Sequence, residues 1–240
     1  MSDPLHQFVV RPIVPLEVGG VDLSFTNASL FMMLAVTIIL TFFALAFRHP
    51  QSIPGRLQSL AEMGYHFIGT MINDTIGEKG RPYFPLVFSL FFFVLVGNLL
   101  GMVPYSFTFT SHIIVTFSLA MLVFVFVTIL GIVKHGLHFF SLFMPKGVPL
   151  FMAPILVPIE MLSYFSRPIS LSVRLFANMM AGHTMLKVFA GFCIALGFFG
   201  VGPLVINIAL TGFEVLVAVL QAYVFTILTC LYINDAIHLH

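Results

Sequence analysis

The scarcity of charge within long apolar runs is the feature that most constrains this chain. The stretch from Leu30 to Phe47 is uncharged, and segments 83–103 and 112–133 are equally apolar. Only isolated charges interrupt segments 148–187 and 188–233. Charged residues make up 8% of the chain, against about 25% in an ordinary soluble domain. So few charges cannot cover the surface of a water-soluble globule, so most of the exterior must face lipid.

Net charge and cysteine content exclude several functional classes. The formal net charge is +1, which gives no electrostatic footprint for nucleic acid. Cys193 and Cys230 lie inside apolar runs, so neither a disulfide framework nor a metal site is indicated, and we expect no cofactor. The first residues lack the basic region of a signal peptide, so the first apolar segment is expected to remain in the mature protein.

The apolar runs predict an all-α integral membrane protein with about five to six membrane-embedded helices. A spanning helix needs about 20 residues, because the hydrocarbon core is about 30 Å thick. We interpret residues 1–240 as a single membrane domain. Its expected parts are an external N-terminal segment (1–28), a first transmembrane helix (29–47), an interfacial amphipathic helix (51–77), a transmembrane hairpin (83–133) and a long helix hairpin (148–235).

The basic residues predict the orientation of the chain, because positive charge is biased to cytoplasmic loops. The turn 104–111 between the second and third spans has no Lys or Arg. We therefore expect the N-terminus outside and the C-terminus inside. The basic residues that set this orientation lie after the first span (Arg48, Arg56, Lys79, Arg81) and after the third (Lys134, Lys146).

Five charges lie inside apolar regions, where each costs at least about 2.5–3.5 kcal/mol and is by default a functional hypothesis. They are Glu160, Arg167, Arg174, Lys187 and Glu214. Arg174 cannot lose its proton in practice, so it needs a counterpart, which another subunit is able to supply. Arg167 precedes a proline and is expected in a loop or at an interface. Lys187 is expected to snorkel to an interface.

Helical spacing groups the polar residues into faces. At 100° per residue, Arg174 and Asn178 share a face and His183 points roughly opposite. Taken singly, His183 is more simply an interior histidine whose hydrogen bonds are satisfied. In the last helix, a single face carries Glu214, Gln221 and Tyr232. Together these groups have the chemistry of a proton path with a fixed positive barrier.

Three other functions remain open at this point. An ion-coupled secondary transporter or antiporter-type subunit also uses intramembrane charges, but it usually has paired broken helices in two halves, which the sequence lacks. A haem-binding electron carrier needs facing histidine pairs, and His183 has no evident partner. A structural anchor explains the apolar runs but not Arg174.

Several motifs strongly resemble subunit a of the F-type ATP synthase, in its alphaproteobacterial and mitochondrial form. The most specific is Arg174-Leu-Phe-Ala-Asn-Met followed by Gly182-His183. Further matching motifs occur at residues 3–8, 97–105 and 214–223. The resemblance covers nearly the whole chain. It implies that the last two segments form a strongly tilted helix hairpin against a rotating ring, which their length permits.

The resemblance also implies roles for individual residues in a stator with two offset proton half-channels. Arg174 is the essential barrier that faces the carboxylates of the c-ring, with Asn178 and Gln221 close to it. The remaining positions belong to the half-channels: His183 and Glu214 to the one open to the periplasm or intermembrane space, and Glu160 to the opposite one. Asn98 matches a polar channel position on another helix, and Tyr232 is also assigned to the half-channels.

The partners implied by the resemblance are the c-ring, peripheral-stalk b-type subunits, membrane lipid and protons. The implied location is the bacterial inner membrane, with a periplasmic N-terminus and a cytoplasmic C-terminus, rather than the mitochondrial inner membrane. The chain itself is then a non-catalytic proton-channel subunit of the synthase complex.

Three positions depart from the pattern of some bacterial members of the family. Those members carry Glu and His where this chain has His183 and Glu214, so one imidazole and one carboxylate remain in either arrangement. Some also carry Asp where this chain has Gly101. No relay step can be assigned to position 101 here.

The predicted orientation is testable with single cysteines at positions 56 and 146. Both positions lie in basic loops, so an impermeant thiol reagent is expected to label them from the cytoplasmic side only. Labelling of position 146 from the outside alone would overturn the orientation.

Overall fold

The computed structural model describes residues 9–15, 17–18, 21–22, 24–103, 106–136, 139 and 153–238. The motif at residues 3–8, Pro104, Tyr105 and the loop that contains Lys146 lie outside the described residues. Within the described part the chain has six α-helices: α1 (Asn27–Ala46), α2 (Arg56–Thr75), α3 (Phe84–Gly101), α4 (Ile113–His135), α5 (Ala153–Ala195) and α6 (Val201–Ile237).

Two short antiparallel strand pairs precede α1. Strand β1 (Pro12–Val14) pairs with β4 (Phe25–Thr26), and β2 (Glu17–Val18) pairs with β3 (Val21–Asp22). Asn27 joins this segment to the helix, because its side chain donates to the Val9 carbonyl and accepts from the Arg11 amide. The Thr26 hydroxyl caps α1 by accepting from the Ser29 amide at 3.4 Å, which satisfies one of the orphan donors of the first turn.

Helix α2 is amphipathic and lies against α3 and α6. Ile68, Met71 and Ile72 are buried, and Phe67 contacts the ring of Tyr223 in α6. A separate stripe of apolar side chains on α2 is exposed (Leu57, Leu60, Met63 and Phe67). A positive-φ turn at Gly77 and a 3-10 turn, Glu78–Tyr83, then lead into α3.

Helices α5 and α6 are much longer than a membrane is thick. They contain 43 and 37 residues, or roughly 65 and 55 Å at 1.5 Å per residue, against a hydrocarbon core of about 30 Å. Helices of this length must tilt strongly or project beyond the core. A tight turn joins them, with Gly197 at φ +55° and a 3-10 turn over Gly197–Gly200.

Four helical segments of the described chain are long and apolar enough to cross a membrane: Asn27–Ala46, Glu78–Gly101, Ile113–His135 and Val201–Ile237. Their mean hydropathies lie between 2.1 and 2.9, and many of their exposed side chains are apolar, such as Met33, Ile129 and Phe213. The predicted all-α membrane fold is confirmed.

The core lies where α3, α4, α5 and α6 meet. Its largest cluster includes Val94, Leu175, Met179 and Phe225, all with at most 1% exposure. Small residues allow close approach of the elements: a Cβ at Gly97 would lie 2.4 Å from the ring of Phe109, so alanine does not fit there without movement. This core holds one edge of the α5–α6 pair against the other helices and leaves the opposite edge open.

Candidate functional site

The candidate site lies along the contact between α5 and α6, which run antiparallel. Three polar contacts define this arrangement: Arg167 with Asp235, Asn178 with Gln221, and His183 with Glu214. In these pairs the residue numbers on α6 fall as those on α5 rise, as expected for antiparallel helices. The same three contacts divide the polar residues into a centre and two flanking clusters.

The centre is an open groove of about 510 Å³, here called the Arg174 groove. Arg174 and Asn178 are exposed on its wall. Most of the other lining side chains are apolar: Ala181, Met185, Leu210, Phe213, Val217, Leu220 and Val224. Glu214 and Gln221 also line it. The groove is therefore a mostly apolar surface that carries the permanent charge of Arg174 together with the buried carboxylate of Glu214.

Arg174 makes no salt bridge with any acidic residue that the structure describes. One turn further along α5, the Asn178 side-chain amide donates to the Gln221 carbonyl oxygen at 2.8 Å. The Gln221 side chain is 3% exposed, and its amide nitrogen has no hydrogen-bond acceptor among the described residues. The amide pair thus holds α5 to α6 beside the arginine, and the guanidinium has no salt bridge with the residues that the structure describes.

The first flanking cluster, here called the histidine–glutamate cluster, consists of Asn98, Thr108, His183 and Glu214. His183 Nδ1 lies 2.8 Å from Glu214 Oε1, and both side chains are buried. On the other side of the ring, His183 Nε2 lies 2.9 Å from the Thr108 hydroxyl. The imidazole therefore connects a hydroxyl group to a carboxylate, which is a geometry suited to moving a proton.

The absence of a side chain at Gly182 allows the Glu214 carboxylate to reach His183. Helical spacing places His183 roughly opposite Arg174 on α5, yet both residues flank the same face of α6. A Cβ on Gly182 would lie 2.6 Å from Glu214 Oε1, so the carboxylate passes over a position that has no side chain. Neither Glu214 oxygen has a well-aligned hydrogen-bond donor in the described chain. The His183 contact is therefore a close approach of an imidazole nitrogen to a carboxylate oxygen rather than an aligned hydrogen bond.

Asn98 belongs to the same cluster but contacts it through α6. Its side-chain amide donates to the Ala218 carbonyl at 3.2 Å, one turn beyond Glu214. The residue is fully buried, and its Oδ1 has no donor among the described residues. An unpaired buried acceptor costs about 1–3 kcal/mol, so this amide oxygen is suited to binding a water molecule or another transient donor.

The turn between α3 and α4 completes this cluster. Thr108 sits against Gly101, where a Cβ would meet its Cγ2 at 2.5 Å. Position 101 carries no acidic side chain, and the Thr108 hydroxyl lies beside it instead. Nearby, His112 stacks on Phe107 with ring centroids 5.0 Å apart, and burial lowers its pKa below the usual range for histidine.

The second flanking cluster, here called the arginine–aspartate cluster, corrects an expectation from the sequence. Arg167 is expected in a loop or at an interface, and the structure shows that it does not lie in a loop. It lies within α5 and forms a 3.0 Å salt bridge with Asp235 of α6. Tyr164 and Tyr232 flank its guanidinium, with centroid distances of 5.4 and 5.1 Å. A loop is not formed because Pro168 is accommodated inside α5 and because Asp235 of α6 pairs with Arg167 there.

The remaining predicted site residues lie near this second cluster. Tyr232 is half-buried between α5 and the end of α6. Glu160 is half-buried on α5, two turns before Arg167, and has no salt bridge with the described residues. No group of three or more His, Cys, Asp or Glu side chains able to hold a metal occurs in the described part of the chain.

Sequence reasoning missed Thr108, Gly182 and Asp235. Thr108 lies in a turn, so helical periodicity gives no indication of what it faces. Gly182 does carry a signal, because a glycine beside His183 within a helix is costly unless close approach requires it. Asp235 matches Arg167 in charge, and counting acids through the end of the last helix would have found it.

The profile of the family described as ATP synthase A chain matches residues 29–234. The chain belongs to this family. Among its relatives, ATP synthase subunit a of Rhodospirillum rubrum is 56% identical over 100% of both chains. That of Agrobacterium fabrum is 58% identical over 99% of this chain and 98% of the relative, and that of Pelagibacter ubique is 56% identical over 100% and 99%.

Membership in the ATP synthase A chain family confirms the resemblance predicted from the sequence. The chain is the proton-conducting stator subunit of the F-type ATP synthase, and it works in a membrane with other subunits of that complex.

A Gly182→Ala substitution tests the path of the Glu214 side chain. The added methyl group must displace the carboxylate, and displacement of a reacting group by about 1 Å costs up to about 10²-fold in rate. We expect passive proton flux through the membrane sector to fall about tenfold or more. The matched control is Gly191→Ala on the same helix, where a Cβ meets nothing within 4 Å. Equal flux in both variants would contradict this geometry.

An exchange of His183 and Glu214 tests whether they act as a pair. His183→Glu leaves two carboxylates that repel, and Glu214→His leaves two imidazoles without an anion. Each single change is expected to slow passive proton flux, measured in vesicles stripped of the catalytic head, by about tenfold or more. The double exchange restores one group of each kind and should recover part of the flux. A double variant no faster than the slower single variant argues against a coupled pair.

Proposed function

We propose that the Arg174 groove is the surface along which the c-ring turns, and that Arg174 meets each ring carboxylate in passing. The observation that carries this proposal is an exposed guanidinium on an apolar groove with no ion pair among the described residues. A charge of this kind is costly in a membrane unless a partner supplies the counter-ion. A ring carboxylate is such a partner.

The chemistry of arginine suits it to act as a barrier. Its guanidinium stays protonated at any physiological pH and matches a carboxylate in a two-pronged geometry. A carboxylate opposite Arg174 is therefore held in its ionised form and releases any proton before it passes. Protons then cannot leak directly past this point, and their transfer requires rotation of the ring.

The histidine–glutamate cluster is proposed as the half-channel on the periplasmic side. His183, Glu214 and Asn98 combine an imidazole, a buried carboxylate and an amide oxygen that has no donor among the described residues. Such groups transfer protons directly or through water. The cluster adjoins the turn between α3 and α4, which the distribution of basic residues assigns to the outside.

The second half-channel is proposed to open towards the cytoplasm near Glu160 and Tyr232. Both side chains are half-buried and lie on the far side of Arg174 from the histidine–glutamate cluster. On α5, His183 lies nine residues after Arg174 and Arg167 lies seven before it, or roughly 13 and 10 Å along the axis. Two polar regions on either side of a fixed cation are the arrangement that offset half-channels need.

The remaining partners and the orientation follow from the same proposal. The c-ring occupies the Arg174 groove, b-type subunits of the peripheral stalk bind elsewhere on the chain, and lipid covers the apolar faces. The membrane is a bacterial inner membrane, with the N-terminus in the periplasm and the C-terminus in the cytoplasm. Support for this orientation comes from the exposed basic residues that precede and follow α2 and from the positive-inside rule.

Arg174→Ala tests the proposal in reconstituted vesicles. We expect proton-driven ATP synthesis to be lost, at least about 10²-fold, while the complex still assembles, because an exposed arginine contributes little to the core. Arg174→Lys should restore little, since an ammonium lacks the planar fork and shifts its pKa more readily. Arg48→Ala, at an exposed arginine outside α5 and α6, is the matched control. Coupled synthesis at the normal rate in Arg174→Ala vesicles would falsify the proposal.

A further inference from the structure

Helix α5 carries two arginines on nearly the same face. Arg167 and Arg174 are seven residues apart, which rotates one only about 20° from the other and separates them by about 10 Å along the helix. Both are permanent cations. A ring carboxylate that meets Arg174 therefore also passes within electrostatic range of Arg167.

The surroundings of the two arginines differ completely. Arg174 faces the open groove without an ion pair among the described residues. Arg167 has Asp235 at 3.0 Å and lies between the rings of Tyr164 and Tyr232. Tyr164 is itself buried and shares a 2.7 Å hydrogen bond with Thr128 of α4. Three helices thus hold the Arg167 guanidinium in place beside its counter-ion.

From this contrast we infer that Asp235 masks the charge of Arg167, so that a ring carboxylate meets one unneutralised arginine on α5 instead of two. This inference rests on the proposed function of the Arg174 groove. Without Asp235, Arg167 is a second site at which a carboxylate becomes trapped in its ionised form. Tyr232 lies within Coulombic range of Arg167, Asp235 and Arg174, so the two arginines share one electrostatic region.

The masking role makes an asymmetric prediction that a purely structural salt bridge does not. Removal of Asp235 leaves a cation that cannot lose its proton. Removal of Arg167 leaves a half-exposed carboxylate, which is not a cation and so cannot trap a ring carboxylate in its ionised form. Loss of both groups leaves no charge to mask. A structural clamp, by contrast, is broken equally in all three cases.

The experiment measures passive proton flux and ATP synthesis in vesicles that contain the whole complex. We expect Asp235→Asn to reduce both rates by about tenfold or more. The reason is that the unmasked charge of Arg167, about 10 Å from Arg174, then attracts the ring carboxylate with this strength at an intermediate dielectric constant. Arg167→Gln should reduce them less than about threefold, and the double variant Arg167→Gln with Asp235→Asn should stay near the wild-type rate. Asp74→Asn, at an exposed acid on α2, is the matched control.

Two results would overturn the inference. One is an equal loss in both single variants and the double variant, which indicates a structural clamp. The other is a wild-type rate for Asp235→Asn. If the complex with Asp235→Asn fails to assemble, the charge-reversed double variant Arg167→Asp with Asp235→Arg tests the inference instead. This variant keeps the pair neutral, so it is expected to conduct protons, and a loss of proton flux in it would contradict the masking role. Failure of the masking role is distinct from failure of the proposed function, which only Arg174→Ala tests.

Discussion

The unneutralised positive charge of Arg174 is the constraint around which the α5–α6 pair is organised. Two long helices hold it on an open apolar groove, and the Asn178–Gln221 hydrogen bond fixes their register beside it. A chain that folds in this way leaves a charge without a salt bridge among the described residues. The proposed function of the subunit follows from the need for a partner's carboxylate to approach Arg174 in that groove.

The packing of the other helices supports this arrangement. Helices α3 and α4 bury one edge of the α5–α6 pair, with Leu175 and Met179 in the core between Arg174 and His183. Close approach at Gly101 and Gly182 brings the Thr108 hydroxyl and the Glu214 carboxylate to the two ring nitrogens of His183. Polar groups that are widely separated in sequence thereby form a connected cluster inside an apolar bundle.

The sequence predicted the all-α membrane fold because hydropathy and length determine it almost alone. It also singled out the residues that line the site, since a charge within an apolar run stands out. It did not predict the partner of Arg167 or the route of the Glu214 side chain. Both depend on which residues of α5 and α6 lie opposite each other, and the periodicity within one helix gives no information on that. The sequence did not predict the short strand pairs before α1 either, because they depend on contacts between residues far apart in the sequence, such as Asn27 with Val9.

A disulfide cross-link tests most directly whether the Arg174 groove receives the ring. In a chain with Cys193 and Cys230 replaced by serine, cysteines at Ala181 and Leu220, which line the groove, are paired with a cysteine beside the ring carboxylate. Ile129 on α4, which is 56% exposed, provides the control position. The account predicts rapid cross-linking at positions 181 and 220 and none at 129. Cross-linking at 129 with none at 181 or 220 would contradict it.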